Sequence, residues 1–258
     1  MSRFDHEAGQ FFEIDGAQIY CEITGNPTAA PLLLLHGGMG TIEDLNIFVQ
    51  QLAGDFKIIG IDSRGQGKST LGDCVLTYER IQQDIVAVLE RLNISKLSIL
   101  GFSDGGIIAY RIAALQSVQV DKLITIGADW SGKNNTKVKE IYKKITAKTW
   151  QEKFPQTYET YSKLNPLPNF EKLVNCIVKM WQDETPSGYP EESVKNINCP
   201  LLIIRGDDDH LVPLESMVQL RQDAAQAQLL NIPRAGHVAF EDQPDLVLPA
   251  IKTFLNTP

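Results

Sequence analysis

The stretch Leu97-Ser98-Ile99-Leu100-Gly101-Phe102-Ser103-Asp104-Gly105-Gly106 decides how the rest of the chain is read. Leu97–Leu100 is a short apolar block of strand type, and Asp104–Gln116 has the patterning of an amphipathic helix. A chain that passes from strand to helix across G-x-S-x-G must turn tightly, and the flanking glycines leave room for that turn. The serine then stands clear of the backbone, with its hydroxyl over the N-terminus of the following helix. That is the placement of a nucleophile.

Working outward, apolar runs alternate with amphipathic segments. Strands are predicted at Phe11–Ile14, Ile19–Thr24, Leu32–Leu35, Lys57–Ile61, Leu97–Leu100, Leu123–Ile126, Leu201–Ile204 and Gln228–Ile232. Several are unbroken aliphatic blocks, the pattern of strands buried on both faces of a parallel sheet. Helices are predicted at Thr41–Ala53, Tyr78–Leu92, Asp104–Gln116, Pro213–Ala225 and Pro244–Phe254. Thr77 is placed to cap the second, and Pro213 and Pro244 suit a first helical turn. The pattern implies a doubly wound α/β fold, with helices on both faces of a mostly parallel, eight-stranded sheet.

The alternation stops near Asp129 and resumes at Pro200. The stretch Trp130–Asn196 holds eleven lysines, no arginine and eight acids, a net charge of +3 that leaves −11 for the rest of a chain carrying −8. It also holds Trp130, Trp150 and Trp181, all three tryptophans of the protein. Pro155, Pro166, Pro168, Pro186 and Pro190 divide it into three or four short helices. The expected organisation is a core domain of residues 1–129 and 197–258 with a helical cap, 130–196, inserted between two strands. The cap lysines read as a solvated face, with attraction of anionic substrates as the alternative.

Composition sets further bounds. With 258 residues and 43% hydrophobic residues, the chain is long enough for one large core. A net charge of −8 has the wrong sign for tracking phosphate backbones, so nucleic acid is not expected as a partner. No apolar run approaches the length of a membrane span, and MSRFDHEAGQ lacks a signal-peptide pattern, so a soluble, cytoplasmic protein is expected. Cys21, Cys74, Cys176 and Cys199 are widely spaced, which reads as free, mostly buried thiols. Gly65-Gln66-Gly67-Lys68-Ser69-Thr70 ends like a phosphate-binding loop, but that motif requires glycine at position 62, which is Asp62.

Ser103 needs a base, and the base an orienting acid. Of His6, His36, His210 and His237, His237 follows the last strand and so reaches the same sheet edge as Ser103. His36 is read as a prop for its own loop. The acid is expected where the preceding strand ends, in Gly206-Asp207-Asp208-Asp209-His210-Leu211-Val212-Pro213. Asp209 fits best there, and Asp129, just past Leu123–Ile126, is the alternative. An oxyanion needs preorganised N–H donors. The Asp104 amide is one, and Gly38, in His36-Gly37-Gly38-Met39-Gly40, is chosen as the other. Met39, Trp130, Trp150 and Trp181 are the candidates for the substrate pocket, although each tryptophan could instead anchor cap helices to one another. The Asp104 carboxylate favours the helix start, or else pairs with an amine on the substrate.

With these residues in hand, the chain resembles the α/β-hydrolase fold superfamily over essentially its whole length. The His36-Gly37-Gly38 loop, the turn from Asp62 to Ser69, the elbow, the acid loop and Gly236-His237 all come in order. The order Ser103, Asp209, His237 is the one that superfamily shows. Asp62 and Arg64 then tie loops together. The Gly-x-Ser-Asp-Gly-Gly elbow and compact cap are similar to the biphenyl hydrolase-like serine esterases. Serine at 103 sets aside the branches with an aspartate nucleophile. The resemblance implies a serine hydrolase that acts on a small-molecule carboxylic ester or related acyl compound and needs no metal or organic cofactor. Acyltransferase, perhydrolase or lyase chemistry on the same triad, and a non-catalytic ligand receptor, are the alternatives.

Overall fold

The computed structural model describes residues 2–133, 136–224 and 226–257. Its eight strands are β1 (Gln10–Ile14), β2 (Ala17–Gly25), β3 (Pro31–Leu35), β4 (Lys57–Ile61), β5 (Lys96–Phe102), β6 (Gln119–Ile126), β7 (Leu201–Gly206) and β8 (Ala227–Ile232). They form one sheet in the order β1-β2-β4-β3-β5-β6-β7-β8. The β1–β2 and β2–β4 pairs are antiparallel, and every pair from β4 to β8 is parallel. The aliphatic blocks are explained by this sheet, because side chains alternate across it. Leu33 and Leu35 enter the core on one face, and Leu32 and Leu34 the core on the other.

The helices flanking the sheet are α1 (Asn46–Leu52), α2 (Tyr78–Arg91), α3 (Asp104–Leu115), α8 (Leu214–Asp223), α9 (Ala239–Asp242) and α10 (Pro244–Asn256). On one face lie α2, α3 and α8, with Ile81, Ile85, Ile108, Ile112 and Met217 in its core. On the other lie α1 and α10, through Phe48, Val49, Val247 and Ile251. Thr77 caps α2 by accepting the Arg80 amide. The predicted helix from Thr41 is broken in two. Thr41 and Asp44 cap each other's backbone amides and tighten Ile42–Leu45 into a 3-10 turn before α1. Pro244 takes the first turn of α10, whereas Pro213 stays extended and α8 starts one residue later. Ala225, the predicted end of that helix, lies outside the described residues.

Between β6 and β7 come α4 (Thr136–Tyr142), α5 (Ala147–Lys153), α6 (Pro155–Leu164), α7 (Phe170–Trp181) and a 3-10 turn, Glu191–Asn196. Pro155 opens α6. On α7 the spacing of Phe170, Leu173, Val174, Ile177 and Trp181 makes one buried face. Asn165 fastens this insertion to the core by donating to the carbonyls of Gly67, at 3.0 Å, and Ser69, at 2.8 Å. All four cysteines are free, but only Cys21 is buried; Cys176 and Cys199 are half-buried and Cys74 is exposed. Among the described residues no helix is long and apolar enough to cross a membrane.

Candidate active site

At the C-terminal end of β5 the backbone reverses through Ser103, at φ 51° and ψ −119°. Its amide donates to Ile126 O at 2.8 Å, fixing the elbow against β6. The turn needs glycine on both sides: a Cβ on Gly101 would overlap the Gly105 carbonyl oxygen, and one on Gly105 would overlap Leu35 O. Ser103 Oγ therefore projects from the sheet edge, 2.9 Å from His237 Nε2. On the other side of the ring, His237 Nδ1 lies 2.9 Å from Asp209 Oδ2. An ionised carboxylate can only accept, so Nδ1 carries the proton and Nε2 is free to accept the serine hydroxyl.

Asp209 is buried, and its other oxygen accepts the amides of Leu211, at 2.8 Å, and Val212, at 3.2 Å. Burial acts to raise its pKa, but His237 and these two amides outweigh it and hold the carboxyl below its ordinary range. Arg205 shapes the acid loop by donating to the carbonyls of Val212, at 2.6 Å, and Asp209, at 3.2 Å. That arginine was missed in the sequence, although a cation inside the block Leu201–Ile204 and Gly206 is an anomaly that could have drawn notice. Asp129, the alternative acid, is turned away. Its Oδ1 accepts the Ser216 hydroxyl at 2.5 Å and the Trp130 amide at 2.9 Å, and its desolvation outweighs these bonds and pushes the pKa up to about 6.

Gly38 and Asp104 line the same cavity as Ser103 and His237, and the amide of neither has a hydrogen-bond partner among the described residues. The loop that carries Gly38 is held by its neighbours. His36 accepts the Ser63 amide at 2.9 Å through Nε2 and stands 2.7 Å from Gly37 O through Nδ1, and Gln66 Oε1 takes up the Met39 amide. Asp62 accepts the amides of Ile42, at 3.0 Å, and Lys68, at 2.8 Å, and so ties loops together, whereas Arg64 is paired at 2.7 Å with Asp84 on α2.

Ser103 opens into a cavity of about 400 Å³. Its walls are Phe102, Leu211 and Val238 from the core and Ile141, Tyr142, Ile145, Trp150, Phe154 and Trp181 from the insertion, with Lys153 and His210 also in the lining. Two of the predicted pocket residues, Trp150 and Trp181, are there. Trp130 is not: it is buried, and its indole donates to Ser216 O at 3.0 Å, on α8. Nor is Met39, which lines a separate cavity of about 250 Å³ with Thr41, Gln66, Thr160 and Tyr161. Positive φ at Met39 (65°) accompanies the turn of its side chain to that side of the loop. The Asp104 carboxylate is enclosed, and accepts from Tyr78 Oη at 2.8 Å and from Trp181 Nε1 at 2.8 and 2.9 Å. Desolvation raises its pKa against the opposing effect of those two donors. Among the described residues no group of three or more His, Cys, Asp or Glu side chains is gathered to hold a metal ion.

The site can pass a proton from a hydroxyl to an oriented imidazole, next to two unpaired amides and an apolar chamber. Known proteins share the frame around it. An esterase of Escherichia coli (strain K12), YbfF, is 29% identical over 88% of this chain and 93% of its own length. The human serine hydrolase BPHL is 29% identical over 78% of this chain and 70% of its own. A solved hydrolase from Pseudomonas aeruginosa PA01 superposes with a TM-score of 0.81 at 18% identity, covering 98% of this chain and all of that one. The model of the alpha/beta hydrolase family matches residues 32–250. The chain belongs to the alpha/beta hydrolase family, and as an enzyme it is a hydrolase.

Proposed function

We propose that the protein is a serine hydrolase that cleaves carboxylic esters through Ser103, His237 and Asp209. The observation that carries this reading is the unbroken chain from Ser103 Oγ to His237 Nε2 and from Nδ1 to Asp209, 2.9 Å at each link, at the wall of an apolar cavity. Ser103 Oγ attacks the ester carbonyl while His237 takes its proton. Asp209 holds the ring and stabilises the imidazolium. The amides of Gly38 and Asp104 receive the oxyanion of the tetrahedral intermediate. His237 then protonates the leaving alcohol, and water repeats the cycle on the acyl-enzyme.

In this reading the insertion, 130–196, caps the core formed by 1–129 and 197–258. Trp150 and Trp181 contact the acyl part of the substrate, for which an apolar, aromatic-lined chamber is suited. A cytoplasmic location belongs to the same reading, supported by four unpaired cysteines. The test is a chain-length series of p-nitrophenyl acyl esters, run with aminoacyl esters on the wild type and Ser103→Ala. Hydrolysis by the wild type and its loss in the variant support the proposal. No turnover of any ester by the wild type, together with no labelling of Ser103 by a fluorophosphonate, overturns it.

A further inference from the structure

Beyond the three side chains that handle the proton, two backbone amides have to be held at a fixed separation, and they sit on different elements. Gly38 is on the loop after β3, and Asp104 opens α3. The structure links them through one side chain from elsewhere. A Cβ on Gly38 would overlap Asp104 Oδ2 and come within 2.8 Å of Trp181 Cζ2, so the Gly38 backbone rests on both groups. Trp181, the last residue of α7, meanwhile donates its indole N–H to the Asp104 carboxylate. That carboxylate is buried, and its other donor is Tyr78, the first residue of α2.

Trp181 is itself held on several sides. Its carbonyl accepts Tyr189 Oη at 3.2 Å, and its ring packs on Tyr142 at 4.9 Å and on Trp150 at 5.9 Å between centroids. Tyr189 in turn stands edge-on to Tyr78, 5.1 Å away. The indole is thus a buried strut with little freedom, one edge on the residue after the nucleophile and one on the facing glycine.

Resting on the ester-hydrolase reading, we propose that Trp181 is a positioning residue for the oxyanion hole, setting the spacing of the Gly38 and Asp104 amides through its contacts with both. Hydrogen bonds to a developing oxyanion are sensitive to misplacement of well under an ångström. A strut from the insertion therefore acts on turnover more than on substrate binding. An anchor that only fastened the insertion to the core would affect stability and leave turnover in the folded enzyme unchanged.

Trp181→Phe removes the indole N–H and the outer ring that carries Cζ2, and so breaks both contacts. Its kcat on a p-nitrophenyl ester should fall about tenfold or more, a larger factor than the change in KM, which Trp181 also influences by lining the cavity. Affinity for phenylboronic acid, which forms a tetrahedral adduct on a serine, should fall with kcat. Tyr78→Phe removes the second donor from the same carboxylate and should move kcat and boronate affinity the same way, by a smaller factor; it decides the matter if Trp181→Phe does not fold. A folded Trp181→Phe, or failing that a Tyr78→Phe, with wild-type kcat and boronate affinity overturns the proposal while the ester-hydrolase reading stands. A wild type that neither turns over the ester nor binds the boronate overturns both.

Discussion

His6 Nε2 stands 2.8 Å from Asp62 Oδ2, and both side chains are buried. The contact fastens the segment before β1 to the turn after β4, and Glu43 faces the other ring nitrogen at 2.6 Å. Burial opposes the charge on His6, but the hydrogen bonds and charges of Asp62 and Glu43 outweigh it and raise the pKa from 6.5 to about 9. A pKa raised on folding makes a contribution that is fully present below 6.5 and is lost as the pH rises through about 9. Melting curves from pH 6 to 10 should show the wild type losing on the order of 2 kcal/mol more than His6→Gln over that window. Parallel curves would show that folding leaves the His6 pKa unshifted.

Ser103→Ala, His237→Ala and Asp209→Asn should each lower kcat by about 10⁴ or more while leaving the fold intact. A variant that combines them should be little worse than the most damaging single change, because the three act as a unit. Asp129→Asn should keep turnover within about threefold, since its carboxylate is engaged by Ser216 and Trp130 and not by His237. Steady-state rates on one ester decide this. The reverse ranking of Asp209→Asn and Asp129→Asn would reassign the acid.

Gly105→Ala should be badly tolerated although it adds one methyl group. The new Cβ would overlap Leu35 O and lie 2.7 Å from His36 O, and both are backbone atoms of the neighbouring strand and loop that cannot swing aside. A loss of about 3 kcal/mol or more follows, read as a drop in the urea midpoint or as insoluble expression.

Arg64 is fully buried, donating to Asp84 at 2.7 and 2.8 Å and to Ile14 O at 2.8 Å. Removing the carboxylate charge leaves a buried guanidinium whose remaining partners, the carbonyls of Ile14, Asp15 and Leu71, are neutral. Asp84→Asn should therefore cost about 3–5 kcal/mol in urea unfolding, with turnover of the remaining folded enzyme near normal. The double variant Arg64→Met, Asp84→Leu should recover much of that loss.

The sheet was legible because strands buried on both faces have no polar alternation, so Leu32–Leu35 and Leu201–Ile204 stand out as aliphatic blocks. The elbow was legible because its turn allows little but glycine at 101 and 105. Side-chain direction off the loops was not. Met39 and Trp130 adjoin Gly38 and the end of β6 in sequence, yet each has surroundings that sequence proximity does not reveal, Met39 in the cavity it lines with Tyr161 and Trp130 against Ser216. The partners of the Asp104 carboxylate were equally hidden, since Tyr78 and Trp181 lie 26 and 77 residues away along the chain. Local patterning reports which face of an element is apolar, and carries no record of which distant donor meets a buried acid.

Ser103 occupies a left-handed φ that a residue with a Cβ adopts only at a cost of about 1–3 kcal/mol, and its neighbours on both sides hold it there. Position 103 is therefore a place where the chain is kept away from its most stable sequence. Ser103→Ala retains the Cβ and with it the tension, whereas Ser103→Gly abolishes the nucleophile and releases it. The inert glycine variant should outlast the working enzyme on heating, which makes it the better vehicle for capturing an intact substrate in the cavity.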